Sequence, residues 1–210
     1  MAQQGDRHPV QLSVEYPDRD LNRTTTFFRL ITVIPIVIVI GAVAGSSSDD
    51  SGGQFATLGA GGGLFLAPLL MIVFRQKYPR WWFDWNVNLV QFVNRVVVYF
   101  LLLRDEYPST DEEQAVHIEI SYPDAENDLN RWLPLVKWLL ALPHYIALAF
   151  LWIAVVAAVI VAWFAILFTG RYPRGIFAFV VGVMRWSLRV EAYAFLLTTD
   201  RYPPFSMNPE

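Results

Sequence analysis

An internal repeat constrains this chain more than any other feature of its sequence. Residues 74–103 align with residues 168–197 without a gap, at an offset of 94, and 11 of the 30 aligned pairs are identical. Upstream, "VEYPDRDLNR" corresponds to "ISYPDAENDLNR" with a two-residue insertion. The sequence therefore predicts a tandem duplication, with a first, degenerate repeat at residues 1–110 and a second repeat at residues 111–210.

Six of the nine tyrosines directly precede a proline, three in each half. Proline cannot continue a helix, and it biases the residue before it toward extended backbone. Tyrosine favours the membrane–water boundary, where its ring contacts lipid and its hydroxyl contacts water. We therefore interpret each Tyr-Pro dipeptide as a stop between a polar segment and a membrane-embedded one.

The composition indicates an integral membrane protein. Of the 210 residues 55% are hydrophobic and only 17% are charged, whereas soluble chains average about 25% charged residues. Apolar blocks lie at 27–45, 55–74 and 132–168, and an acidic Gly/Ser-rich loop lies at 46–54. The net charge of −3 gives no indication of nucleic-acid binding, which would need a basic stripe. The polar start of the chain predicts no cleavable signal peptide.

The block at 132–168 has two interpretations. As one helix its 37 residues would reach roughly 55 Å at about 1.5 Å per residue, far beyond the roughly 30 Å hydrocarbon core. Either it turns back as a tight spanning hairpin, or its first part lies in the interface and its second part spans.

Residues 81–103 and 175–197 predict a helix after each Tyr-Pro-Arg loop. In the first of these, Asp84, Asn88, Gln91 and Arg95 form one polar stripe on an otherwise apolar helix. A charge at the bilayer centre costs about 2.5–3.5 kcal/mol, so we favour an amphipathic helix lying in the interface. The alternative is a spanning helix whose stripe faces a bundle or a water-filled path.

Two short segments, "VQLSVEY" and "VHIEISY", alternate with period two and are predicted to be strands. They could pair with each other as a small cytoplasmic ribbon. A two-stranded ribbon is marginal alone, so it would need to pack against the interfacial helices or a partner.

The pattern "LNRWLPLVKWLLALPHYI…WFAILFTGRYPRGIFAFVVGVMRWSLRVEAYAFLLTTDRYPPFS" resembles a bacterial membrane family known as domain of unknown function 4389. The second half resembles it closely, and the first half does so in degenerate form. The resemblance implies a bacterial integral membrane protein, often built from repeats, with no established reaction.

Together these observations predict an all-α membrane protein in which each copy is an apolar helical hairpin plus an interfacial helix, preceded by a short β segment. Both Tyr-Pro-Arg loops are basic and the loop at 46–54 has no Lys or Arg. The positive-inside rule therefore places the loop at 46–54 outside. We expect a multi-pass protein of the bacterial cytoplasmic (inner) membrane with both termini in the cytoplasm.

The sequence contains no recognisable catalytic, cofactor or metal-binding motif. Its three histidines lack partners at metal-ligand spacing, and "GAGGG" at 59–63 lacks the lysine of a phosphate loop. We interpret His144 as a hydrogen-bonded interface residue and Lys137 as a side chain that extends to the lipid headgroups. We therefore predict no enzymatic activity and no cofactor.

Four arginines are the candidate contacts for lipid headgroups or a protein partner. Arg95 and Arg189 are equivalent under the repeat, as are Arg80 and Arg174 in the two Tyr-Pro-Arg loops. A guanidinium suits bidentate contact with phosphate or carboxylate. The alternative is that Arg95 and Arg189 form an ion or lipid site on a pseudo-twofold axis between the two copies.

Two functional classes follow. The first is a non-enzymatic membrane scaffold or accessory subunit that binds membrane lipids and other membrane subunits, or forms a homo-oligomer. The second is a transport or lipid-handling protein. The low content of ionisable groups in the apolar blocks favours the first class, because transporters usually carry such groups in their spans.

Overall fold

The computed structural model of the chain describes residues 8–36, 38, 60–110, 112 and 114–209. The predicted acidic loop at 46–54 and part of the first apolar block lie outside these residues. The elements, in chain order, are β1 (Val10–Val14), α1 (Arg23–Thr32), α2 (Ala60–Arg75), α3 (Arg80–Phe100), β2 (Val116–Ile120), α4 (Pro134–Leu140), α5 (Leu142–Thr169), α6 (Arg174–Glu191) and a π-helical turn (Ala192–Leu196). The predicted helical class is confirmed, although the two strands form a small sheet.

The block at 132–168 is not a spanning hairpin. It forms the seven-residue helix α4 and then, after Ala141, the uninterrupted 28-residue helix α5. The physical reason lies in the sequence: Pro143 begins α5, and no proline or glycine follows until Gly170, so the helix has no residue at which to reverse. Gly170 ends the helix in the left-handed conformation, with φ of 76°.

Helices α3 and α6 begin where the Tyr-Pro dipeptides predict. Pro79 and Pro173 precede them with extended backbone, at ψ of 131° and 124°. The helical parts that follow are shorter than predicted, because the chain adopts left-handed backbone at Leu102 and Leu197, with φ of 65° and 57°. A left-handed residue ends a helix by turning the chain away from its axis.

The two strands pair with each other, as the alternating patterns predict. They run antiparallel, with Val10 opposite Ile120 and Val14 opposite Val116. Strand β1 packs against α6, and β2 packs against α3. Helix α6 therefore lies between the ribbon on one side and the apolar helix α5 on the other, which supplies the packing that a lone ribbon lacks.

A polar segment before the helices of each half, residues 16–23 or 122–131 and called the arm below, contacts the Tyr-Pro loop of the other half. The Tyr16 hydroxyl donates to the Tyr172 carbonyl at 2.5 Å, and the Tyr122 hydroxyl donates to the Tyr78 carbonyl. The arginines that follow these tyrosines repeat the exchange: Arg23 donates to the Phe168 carbonyl and Arg131 to the Phe74 carbonyl. Each arm thus fastens to the half from which it does not come.

The tyrosines of the two loops complete this exchange. Tyr78 donates its hydroxyl proton to the Leu196 carbonyl at 2.8 Å, and Tyr172 donates to the Leu101 carbonyl at 3.4 Å. Burial raises the pKa of both hydroxyls, so they remain protonated donors at neutral pH. The two halves are therefore joined by hydrogen bonds that occur in equivalent pairs.

Helix α5 buries only one narrow stripe along its length. His144, Leu148, Val155, Ala162 and Ile166 face the rest of the protein. The opposite face is apolar and exposed from end to end, and it includes Ile146, Phe150, Ile153, Ile160, Phe164 and Phe168. An exposed apolar face of this length is far larger than the patches on soluble monomers.

Candidate functional site

Arg80 and Arg174 lie exposed at the first position of α3 and α6. Each guanidinium lies over a tyrosine ring of the other half's arm: Arg80 over Tyr122 at 5.3 Å and Arg174 over Tyr16 at 5.4 Å. Stacking on the ring orients the planar guanidinium without occupying its N–H donors. The structure therefore leaves both groups oriented and accessible from outside the protein.

Arg95 and Arg189 are instead buried, at 7% and 1% exposure. Arg95 donates to the Ser109 carbonyl at 2.6 Å, and Arg189 donates to the Asn208 carbonyl at 2.9 Å. Each guanidinium thus binds the segment that follows its own helix. Both arginines fasten a chain segment, and their contact with lipid or a partner stays a prediction.

A second pair of equivalent cations was not predicted as a site. Arg29 forms an ion pair with Asp105, and Lys137 forms one with Asp200, whose Oδ1 is 2.7 Å from Nζ. The opposite oxygen of each aspartate accepts from a backbone N–H at an arm, those of Asn22 and Asn130. Each cation also lies over a tyrosine ring, Tyr99 and Tyr193 respectively.

Lys137 therefore does not extend to the headgroups as its sequence position predicted. Its side chain is fully buried and also donates to the Thr199 carbonyl at 2.7 Å. Burial lowers the pKa of Lys137, and the adjacent Asp200 carboxylate counters that effect. The prediction failed because Asp200, which binds the ammonium inside the protein, is 63 residues away in the sequence.

His144 is hydrogen-bonded, as its interpretation predicted. The side chain is fully buried, and its Nδ1 accepts from the indole Nε1 of Trp186 at 3.1 Å. The ring of Phe205 stacks on the imidazole with a centroid distance of 4.0 Å. The histidine thereby holds the C-terminal segment against α5 and α6. Within the described ranges no group of three or more His, Asp or Glu side chains could hold a metal ion.

A cavity of about 600 Å³ lies between α2, α3, α5 and α6. Its wall is mainly apolar and includes several aromatic rings. Few polar groups line it, and among the described lining residues Glu191 is the one carboxylate. Its principal lining residues are Phe65, Asn86, Tyr145, Trp152, Glu191 and Phe195. No feature of the sequence predicted this cavity, because its lining comes from elements up to 131 residues apart.

The described part of the chain is a mostly helical protein with a two-stranded ribbon. It contains one helix, Leu142–Thr169, that is long and apolar enough to cross a membrane. Residues 132–207 match the family model described as Domain of unknown function (DUF4389), so this part of the chain is similar to that family. The match covers one copy, not the tandem copies that were predicted. No curated protein and no solved structure matches the chain.

Proposed function

We propose that this chain is a non-enzymatic membrane scaffold or accessory subunit of a larger bacterial membrane complex. The observation that carries the proposal is the exposed apolar face of α5, on which Phe150 and Phe168 are 71% and 79% exposed. Such a face is stable only against lipid or the apolar surface of another protein. The proposal places it in the cytoplasmic membrane, in a multi-pass arrangement with both termini in the cytoplasm.

Within this proposal α3 and α6 lie at the membrane surface and do not cross it. The ribbon packs directly on these two helices, and a two-stranded ribbon has open edges whose backbone N–H and C=O groups need water. Helices fully surrounded by lipid could not carry such a ribbon. Packing against the ribbon therefore supports the interfacial position over the spanning one.

We further propose that the two halves, 1–110 and 111–210, arose by tandem duplication. Support comes from contacts that occur in equivalent pairs. Arg29 and Lys137 are related by the same offset of 108 that relates Arg23 to Arg131, and each binds an aspartate of its own half. Two unrelated halves would have no reason to repeat both the residues and their bonding.

The charges inside the protein support a scaffold more than a transporter. Between Tyr145 and Phe168 the helix α5 contains no charged residue. The buried cations Arg29 and Lys137 are each bound to an aspartate. Ion pathways instead need ionisable groups that face a water-filled route. One observation favours the alternative, a transport or lipid-handling protein: the cavity beside α5 that contains Glu191.

The candidate contacts to lipid headgroups or to a partner subunit are Arg80 and Arg174, which are oriented by tyrosine rings and exposed. Arg95 and Arg189 would act on such contacts through the segments that they hold. Basic side chains next to exposed aromatic residues suit the headgroup layer, and Trp81, 66% exposed, directly follows Arg80.

Purification in a mild neutral detergent, followed by native mass spectrometry, tests the proposal. A protein subunit at fixed stoichiometry is the result expected of a scaffold. The variant Arg80→Ala/Arg174→Ala should lose that subunit or anionic lipid while the protein stays membrane-inserted, and Arg19→Ala/Arg201→Ala serves as a control of equal charge change. A homo-oligomer with tightly bound lipid and no other subunit would favour the alternative, and a monomer without either would refute both.

A further inference from the structure

The cavity between α2, α3, α5 and α6 contains a carboxylate without a counter-charge. Glu191 faces the cavity from the end of α6, and its carboxylate makes no hydrogen bond or ion pair with the residues that the structure describes. Among the described residues, no Lys, Arg or His lines the cavity. An ionised carboxylate in such surroundings is unfavourable unless a cation or a proton neutralises it.

A second polar group of the cavity lining is also unsatisfied. The hydroxyl of Tyr145 is buried and has no hydrogen-bond partner. Buried hydroxyls nearly always have one, so each exception calls for an explanation. Tyr145 lines the same cavity as Glu191, and these two are the titratable groups among the described lining residues. A bound cation would neutralise the carboxylate, and the phenol ring of Tyr145 would present an aromatic face to it.

Aromatic rings form the wall around this polar end. Phe195 contacts Phe65 with a ring-centroid distance of 6.0 Å and Tyr145 with one of 6.1 Å. Trp152 is held in place because its indole Nε1 donates to the Ser187 hydroxyl at 3.1 Å. Aromatic faces attract organic cations through their quadrupoles, and groups of such rings bind quaternary ammonium ions.

We propose that this cavity binds a monovalent organic ammonium that carries an apolar chain. The carboxylate neutralises the ammonium group, the rings contact its alkyl substituents, and the apolar lining, which includes Leu89, Val93 and Leu148, surrounds the chain. The volume of about 600 Å³ falls within the range of small-molecule sites. An anionic amphiphile is excluded, because it would meet Glu191 without any compensating cation.

This inference goes beyond the scaffold proposal and does not rest on it, since a scaffold and a lipid-handling protein could both hold such a ligand. Burial raises the pKa of Glu191 to about 7, so the carboxylate is ionised and available to a cation at pH 8. A cation at the site would in turn favour the ionised form.

Isothermal titration of the full chain in dodecyl maltoside at pH 8 tests the proposal, with decyltrimethylammonium as the probe. Decanol and decyl sulfate have the same chain with a neutral or anionic head. We expect saturable 1:1 binding of the ammonium, weakened about tenfold or more by Glu191→Gln. Glu119→Gln makes the same change at an exposed position on β2 and should leave binding unchanged. Partition of the probe into the detergent micelles is the same for all variants, so it does not affect the comparison of their affinities.

Two further variants keep the result interpretable if Glu191→Gln is poorly folded. Glu191→Asp retains the charge and should retain part of the affinity, whereas Trp152→Leu retains the carboxylate but removes an aromatic face and should weaken binding. Equal binding of decanol, or undiminished ammonium binding by Glu191→Gln, would overturn the proposal and reduce the cavity to an unspecific apolar space.

Discussion

Asp200→Asn should destabilise the protein more than any exposed charge change of the same kind. Lys137 is fully buried, and its Nζ lies 2.7 Å from Asp200 Oδ1. The substitution keeps the size of the side chain and removes the negative charge, so a buried ammonium loses its counter-ion. Breaking a buried pair by removing one partner costs about 3–5 kcal/mol. If the asparagine amide is oriented with its nitrogen toward Lys137, its –NH₂ group also lies near the ammonium and cannot accept a hydrogen bond from it.

The magnitude translates into a measurable thermal shift. For a chain of this size about 1 kcal/mol corresponds to roughly 2–4 °C in Tm, so a decrease of about 10 °C is expected. Tryptophan emission on heating, in neutral detergent, reports the transition because the chain has eight tryptophans. The measurement is made at pH 7.

Asp20→Asn is the matched control. Asp20 pairs with Arg171 at 2.9 Å, yet the two side chains are 65% and 77% exposed. Exposed pairs contribute about 0–1 kcal/mol, so Tm should change by at most a few degrees. Adding Lys137→Met to Asp200→Asn should recover much of the loss, since it removes the unpaired buried charge. Equal effects of the two Asp→Asn changes, or no recovery with Lys137→Met, would refute this account of the pair.

Two further predictions concern topology and pH. With all polar segments except 46–54 in the cytoplasm, a cysteine at Ser48 should label with an impermeant maleimide in intact cells, whereas cysteines at Ser109 and Ser206 should not; labelling at Ser109 would argue for a spanning α3. Burial raises the pKa of Glu191 from 4.5 to about 7, and among the described lining residues Tyr145 is the other titratable group. The folded state therefore holds a proton that the unfolded state releases, and this contribution is complete below pH 4.5 and lost as pH rises through 7. The unfolding free energy should fall by up to about 3 kcal/mol across that window. Glu191→Gln should remove this part of the pH dependence and leave the part that other titratable groups contribute.

Much of the fold could be predicted because its signals are local. The period-two alternation at Val10–Val14 and Val116–Ile120 is a property of neighbouring residues, and so is the helix stop at each Tyr-Pro dipeptide. The pairing of the two strands followed from the repeat, since equivalent segments have equivalent hydrophobic faces. The hairpin at 132–168 was wrong for an equally local reason: after Pro143 the block has no proline or glycine until Gly170, so the second helix does not turn back.

The site could not be predicted to the same extent because it depends on contacts between distant segments. Lys137 is a lysine within an apolar block, and its sequence neighbours do not indicate Asp200 as a partner. The alignment of Arg29 with Lys137 is a signal that could have indicated the site. A cation at equivalent positions of two apolar segments suggests that each has an anionic partner. The position equivalent to Glu191 in the first half is Val97, so the repeat gave no signal for this carboxylate.

The exchange of arms between the halves has a consequence for shorter chains. In this protein Tyr16 binds the loop of the second half, and Tyr122 binds the loop of the first. A chain with one copy, such as residues 111–210 expressed alone, would lack the loop that its own arm needs. Two such chains could satisfy each other by domain swapping, with β2 pairing to its own symmetry mate. If the halves arose by the proposed duplication, this chain would correspond to the covalently linked form of such a swapped dimer, and only its second half carries Glu191.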